Sequence, residues 1–184
     1  MYNSDLASLF FPVQSAISIR LLVLDVDGVL TDGGLYYDLQ NQVIKRFDVQ
    51  DGLGIKIAQQ AGITIAVITG LDSPAVAARM RDLGITDYYA GFLDKRACLE
   101  EIRARHDLEW EQMAYLGDDW VDLSVMDMVG LPLAVANAQP EVKSIASYVT
   151  TAKGGQGAVR EVVRHLLIAQ GKYDAVLSAW SHPC

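Results

Sequence analysis

Short apolar runs alternate along this chain with longer segments of mixed polarity. Ile19–Leu24, Ile63–Ile68, Asp87–Ala90, Met113–Leu116 and Leu131–Val135 are bounded by turn signals, and each predicts a strand; Tyr148–Thr150 predicts a short sixth. Helices are expected between them. Asp51–Ala61 stops at Gly62. Ser73–Leu83 has Ser73 to cap it, Pro74 at its first turn and Gly84 to end it. Lys95–His106 and the amphipathic stretch Gly157–Gln170 complete the set. Gly33–Val49 has β-rich halves around Asp38-Leu39-Gln40-Asn41 and predicts a hairpin. Alternating strands and helices call for an α/β fold: one doubly wound parallel sheet with helices on both faces. Residues 19–172 form that domain in this reading, with an extension over 1–18 and a tail over 173–184 that carries few structure signals.

The chain has 184 residues, enough for one domain with a sizeable core. Its 51% hydrophobic and 21% charged residues are ordinary globular material, so neither disorder nor a fibre is expected. A net charge of −8 and the lack of a basic patch argue against a nucleic-acid partner; 95–106 reads as a mixed-charge helix face. Cys98 and Cys184 have no metal-ligand spacing and predict two free thiols in a reducing cytoplasm. The N-terminal stretch has no basic region and no A-x-A site, so no signal peptide is expected, and no apolar run is long enough to predict a membrane span.

Candidate chemistry gathers after the strands. Asp25 and Asp27 follow the first, before Gly28. Acids at i and i+2 face the same way on an extended chain and repel unless a cation lies between them or one stays protonated. Thr69-Gly70 follows the second strand, Lys95 the third, and Gly117-Asp118-Asp119 with Asp122 the fourth. Each is unremarkable alone: a turn, strand-end punctuation, a solvated helix start, acids at a helix N-terminus. In a doubly wound sheet, however, these four turns meet in one crevice. A carboxylate there can attack phosphorus, Mg²⁺ suits the oxygen ligands, and a hydroxyl and an ammonium can neutralise a phosphoryl group.

The motifs Asp25-Val-Asp-Gly-Val-Leu-Thr-Asp, Ile68-Thr-Gly, Lys95 and Gly117-Asp-Asp-x-x-Asp resemble those of the haloacid dehalogenase superfamily. Asp51-Gly-x-Gly-Ile, Arg79-x-x-x-Leu-Gly-Ile, Val135-Ala-x-Ala-x-Pro and Gly154-Gly-x-Gly-Ala-Val-Arg-Glu extend the resemblance, over 19–172, to the 3-deoxy-D-manno-octulosonate (KDO) 8-phosphate phosphatase family. The resemblance implies a Rossmann-like core and an Mg²⁺-dependent phosphatase acting through an aspartyl-phosphate. Asp25 would be the nucleophile and Asp27 the acid and base. Gly28, Thr69, Gly70 and Lys95 would bind phosphate. Asp25, the backbone carbonyl of Asp27 and Asp118 would ligate Mg²⁺, with Asp119 and Asp122 orienting the ligands or Lys95. Asp51, Arg79 and Lys153 are candidates for substrate contact.

Relatives close their sites with inserted cap domains. Here only the hairpin 33–49 follows the first motif, and the stretch from Thr69 to Lys95 is too short for a domain. Uncapped relatives close the cleft as tetramers whose hairpins pack together, so the resemblance implies a homotetramer here, with Leu35, Tyr36, Tyr37, Val43, Ile44 and Phe47 as the apolar surface. Three positions depart from the family. Leu71, Gln50 and Gln156 stand where arginine or another base is common, and arginine is the natural fork for a sugar-acid carboxylate. Lys45, Arg46, Lys56, Arg79, Lys153 and Arg160 are candidates to compensate. From the resemblance, the expected substrate is KDO 8-phosphate. A nine-carbon sugar-acid 9-phosphate is one alternative, and a non-catalytic oligomerisation module is another.

Overall fold

The structure is a computed structural model and describes residues 10–181. Six strands form one parallel sheet: β1 (Leu21–Leu24), β4 (Thr64–Thr69), β5 (Asp87–Ala90), β6 (Met113–Gly117), β7 (Leu131–Ala134) and β8 (Tyr148–Val149), in the order β5-β4-β1-β6-β7-β8. The centre of the sheet is the reason β1 is uniformly apolar: it pairs with β4 on one side and β6 on the other, and all four of its residues are buried. The chain winds outward from β1 through β4 to β5, then crosses back to β6 and winds the other way to β8. That reversal opens a crevice at the carboxyl ends of β1 and β6.

Helices flank the sheet. α2 (Val49–Gln60) packs on α7 (Ala158–Ala169), which also meets α1 (Val13–Ala16) and α8 (Tyr173–Ser181). α4 (Arg96–Arg105), α5 (Leu123–Met126) and α6 (Pro140–Ile145) form a second contiguous group, and α3 (Pro74–Leu83) adjoins α2. One buried cluster runs through all of it, from Phe11 and Ala16 to Leu167. The hairpin strands β2 (Tyr36–Tyr37) and β3 (Val43–Ile44) form a separate two-stranded sheet that turns through Asn41, whose φ is +58°.

Several boundaries and several segments differ from the sequence reading, which assigned no helix to α1 or α5. α2 begins at Val49 because Asp48 caps it, its carboxylate accepting from the Gln50 and Asp51 amides. Ser73 has the extended backbone of an N-cap, yet its hydroxyl makes no capping bond. The tail is not featureless: α8 lies over the α2–α7 pair, with Trp180 donating to Gln60 Oε1 at 3.1 Å and Lys172 to Ala61 O at 3.0 Å. α6 starts at Pro140, in a stretch for which the sequence reading assigned no helix. Cys98 is buried and free, whereas Cys184 and His182 lie outside the described residues. Among the described residues no helix is long and apolar enough to cross a membrane.

Candidate active site

The crevice floor is built by the turn that follows β1. The Asp25 amide still donates to Leu116 O at 3.1 Å, so the sheet ladder fixes this residue before the chain departs. The loop then winds around one carbonyl: Val26 O accepts from the amides of Val29, Leu30 and Thr31 and from the Thr31 hydroxyl. Gly28 sits at φ +91°, and a Cβ there would lie 2.0 Å from Asp118 Oδ2. Glycine is required on both counts. The β6 end is equally tight, for a Cβ at Gly117 would lie 2.6 Å from Asp122 Oδ2.

These close approaches bring three carboxylates together. One oxygen from each of Asp25, Asp118 and Asp122 lies within 4.8 Å of the others. Lys95 reaches in from the start of α4 and is fully buried. Its Nζ donates to Asp25 Oδ1 at 2.7 Å, Asp122 Oδ1 at 2.8 Å and the Tyr115 hydroxyl at 3.1 Å, which commits all three ammonium protons. Asp122 is saturated as well. Its Oδ1 also accepts from Tyr115 at 2.7 Å, and its Oδ2 accepts from the amides of Asp118 and Asp119. Asp118 differs: its Oδ1 is buried with no hydrogen-bond partner.

Burial, opposed by Lys95, raises the Asp25 pKa, with Asp122 adding to the rise. Burial likewise raises Asp118, and the Asp25 and Asp122 charges raise it further. Burial alone would lower Lys95, but Asp25 and Asp122 more than offset it, and its pKa rises. Three carboxylates and one ammonium leave two negative charges when all are ionised. An orphaned Asp118 oxygen beside Asp25, in an all-oxygen cluster with that deficit, fits a hard divalent cation. Asp122, with both oxygens engaged, is fitted to hold the other groups in place.

Residues 82–162 match the family model for haloacid dehalogenase-like hydrolases. The 3-deoxy-D-manno-octulosonate 8-phosphate phosphatase of Yersinia pestis is 45% identical over 162 residues, covering 88% of this chain and 87% of that one. The enzyme of the same name from Escherichia coli K12 is 43% identical over 177 residues, covering 94% of each. A solved 3-deoxy-D-manno-octulosonate 8-phosphate phosphatase from Moraxella catarrhalis, in complex with magnesium ion, phosphate ion and KDO, superposes with a TM-score of 0.89 at 38% identity, covering 91% of this chain and 97% of that one. The chain belongs to the 3-deoxy-D-manno-octulosonate 8-phosphate phosphatase family. It is accordingly a phosphomonoesterase with the uncapped haloacid dehalogenase fold.

Around the carboxylate cluster, the family's remaining motif positions take up distinct places. Thr69 is buried at the end of β4, its hydroxyl accepting from the Leu71 amide at 3.4 Å, and Gly70 follows it beneath Leu93. Asp27 is ion-paired with Lys45, which the hairpin carries back toward the domain. Asp119 is exposed and bonds the Trp120 amide, closing a reciprocal cap with Asp122. Lys153 is exposed beside Gly154, a residue packed so closely on the Asp25 loop that a Cβ would lie 1.6 Å from Gly28 O.

Two of the substrate candidates are engaged inside the chain. Asp51 accepts from the Gly157 amide at 3.2 Å and the Arg160 amide at 2.8 Å, so it caps α7 from α2. Burial raises its pKa to about 6 against those two hydrogen bonds. Arg79 donates to Asp48 O at 3.3 Å and stacks over Phe47 at 5.8 Å. Gln50, Leu71 and Gln156 are exposed.

Tyr115 and Asn137 escaped the sequence reading. Tyr115 was hidden within an apolar strand, and its phenol is the third partner of Lys95. Asn137 lay unmarked inside Val135-Ala-x-Ala; it donates to Gly28 O at 3.2 Å and accepts from the Gly154 amide at 2.7 Å, which ties the glycine-rich turn to the Asp25 loop.

Proposed function

We propose that this enzyme hydrolyses 3-deoxy-D-manno-octulosonate 8-phosphate to KDO and phosphate, through a phosphoryl group carried briefly on Asp25. The observation that carries the reading is the meeting of Asp25, Lys95, Asp118 and Asp122 at the sheet's reversal point, in a chain so similar to enzymes of that name. Asp25 would attack phosphorus. Asp27 would donate a proton to the departing alkoxide and then accept one from the attacking water. Asp25, Asp118 and the Asp27 carbonyl would hold Mg²⁺, with Asp119 and Asp122 as their supports. That ion would supply positive charge against the phosphoryl oxygens and between the carboxylates.

Thr69, Gly70 and the Gly28 turn would receive the phosphate. Lys95 would steady Asp25 and contribute charge at the phosphoryl site; a direct bond from it to phosphate would require one of its three present partners to yield. Lys153 borders the loop and would meet the sugar acid, while Asp51 and Arg79 would act on substrate through the elements they brace. We place residues 19–172 as the catalytic domain, in the cytoplasm, where a phosphorylated sugar acid would be met.

With Leu71, Gln50 and Gln156 exposed in place of basic forks, the hold on the sugar acid's single carboxylate is weaker for any such substrate, and a nine-carbon sugar-acid 9-phosphate stands as the second reading. Steady-state assays with Mg²⁺ on both substrates decide between them. A higher kcat/KM for the eight-carbon ester is expected, and a higher value for the nine-carbon ester would overturn it.

A further inference from the structure

Three consecutive residues pin the hairpin to the domain. Lys45 Nζ pairs with Asp27 Oδ1. Arg46 Nη1 donates to Gly155 O at 2.9 Å. Phe47 bridges Thr31 in an isolated antiparallel contact. The tip beyond them is exposed, but this base is fixed.

The Lys45 side chain is only 1% exposed, against 28% for Asp27. An ammonium removed from water needs an acceptor, which Asp27 Oδ1 remains whether or not Oδ2 carries a proton. Asp27 is its one ion-pair partner among the described residues. A buried lysine has thus been delivered from the hairpin to one particular oxygen of one particular acid.

We propose that Lys45 is a positioning residue for Asp27, holding Oδ1 so that Oδ2 is the oxygen turned to the scissile bond. The inference rests on the acid–base role proposed above for Asp27. In the first half-reaction an Asp25 oxygen bonds to phosphorus, the ester P–O bond breaks, and the proton on Asp27 Oδ2 passes to the departing alkoxide. In the second, a water oxygen bonds to phosphorus, the Asp25 O–P bond breaks, and Asp27 Oδ2 takes the water's proton. Both transfers depend on one oxygen being correctly placed, and a carboxyl free to turn would spend much of its time misdirected. Because Lys45 belongs to the hairpin, a docked hairpin base is part of the assembled site.

The test separates the two half-reactions. An alkyl phosphomonoester needs the acid in the first; p-nitrophenyl phosphate does not, because nitrophenolate leaves unprotonated; both need the base in the second. Lys45→Met keeps the stem and removes the ammonium. It should lower kcat on the alkyl ester by about 100-fold with KM within about threefold. With p-nitrophenyl phosphate the first turnover should keep its rate while the steady rate falls, so that a burst of nitrophenolate appears. Lys45→Arg should recover part of the loss. In an Asp27→Asn background, Lys45→Met should change kcat by less than about twofold. Thermal melting monitors the fold, and Lys45→Gln replaces the Met variant if that variant melts early.

Wild-type rates in both phases, burst and steady rates falling together, or losses that simply add to those of Asp27→Asn would each overturn the role of Lys45 alone. A wild-type enzyme inactive on every phosphomonoester would instead remove the reading beneath it.

Discussion

At the scale of single residues, the site is a problem of charge held out of water. Asp25 is 5% exposed and Lys95 not at all. Each is tolerable there because the other is present, with Asp122 and Tyr115 taking up the remaining protons and lone pairs. Asp25→Asn keeps an oxygen for Lys95 but leaves no carboxylate to attack phosphorus. Because Lys95 keeps Asp122 as its counter-charge and the cluster loses one of two excess negative charges, the variant should fold, with a melting temperature close to that of the metal-free wild type, and lose at least about 1,000-fold in kcat. Phosphate-release assays beside a thermal melt check both halves; retained turnover would contradict the assignment of Asp25. The sequence marked Asp25, Asp118 and Asp122 because carboxylates after apolar strands are conspicuous. It did not mark Tyr115, since a tyrosine within Met-Ala-Tyr-Leu-Gly reads as one more apolar position until the fold points its hydroxyl at a buried lysine. Lys95, read alone, is an ordinary helix start. Only the packing of α4 beside the sheet makes it fully buried.

Among the elements, what could be read depended on length and punctuation. β5 appears where the pattern placed it, and α3 lies between Ser73 and Gly84 as Pro74 and the left-handed Gly84 require. α1 and α6 are too short for a 3.6-residue period to emerge, although Pro140 sits in the first turn of α6, where proline fits. α8 lacked a cap signal, and only its docking on α7 shows that Val176 is half-buried. The hairpin was legible as a hairpin, but its pairing is just Tyr36 with Ile44 and Tyr37 with Val43. So small a ladder cannot support a two-stranded sheet alone in water. Its apolar surface remains uncovered within one chain: Leu39 is 98% exposed and Tyr37 64%. An exposed patch of this kind suits an interface, and the homotetramer that the resemblance implies would cover it. Leu39→Asp combined with Ile44→Asp should therefore reduce the mass seen by light scattering from four chains to one. A wild-type protein that runs as a single chain would remove this assembly from the account.

For the whole molecule, the crevice links folding, protons and metal. Burial, opposed by Lys95 and aided by Asp122, raises Asp25 to about 6, and burial with the charges of Asp25 and Asp122 raises Asp118 to about 8, from an ordinary 3.8. In the metal-free fold both groups hold protons that the unfolded chain has already released. The native state then binds more protons than the unfolded state, so its stability falls as pH rises from about 4 to about 8. Lys95, whose pKa is also raised, stays charged throughout this window and leaves that slope alone. A divalent cation reverses the trend, because it binds the carboxylates only once those protons are gone. The gap in melting temperature between samples with saturating Mg²⁺ and with EDTA should widen from about pH 5 to about pH 8, with one proton or more released per ion bound near the lower end. Asp25→Asn should narrow that widening, since it removes one ligand and also the charge that ranks next to burial in raising Asp118. Melting curves across this range, paired with calorimetry in buffers of different ionisation enthalpy, read out both effects. A gap that stays constant with pH would mean that the buried acids are not the groups the ion displaces protons from, and the cation would then have to be sought away from the β1–β6 crevice.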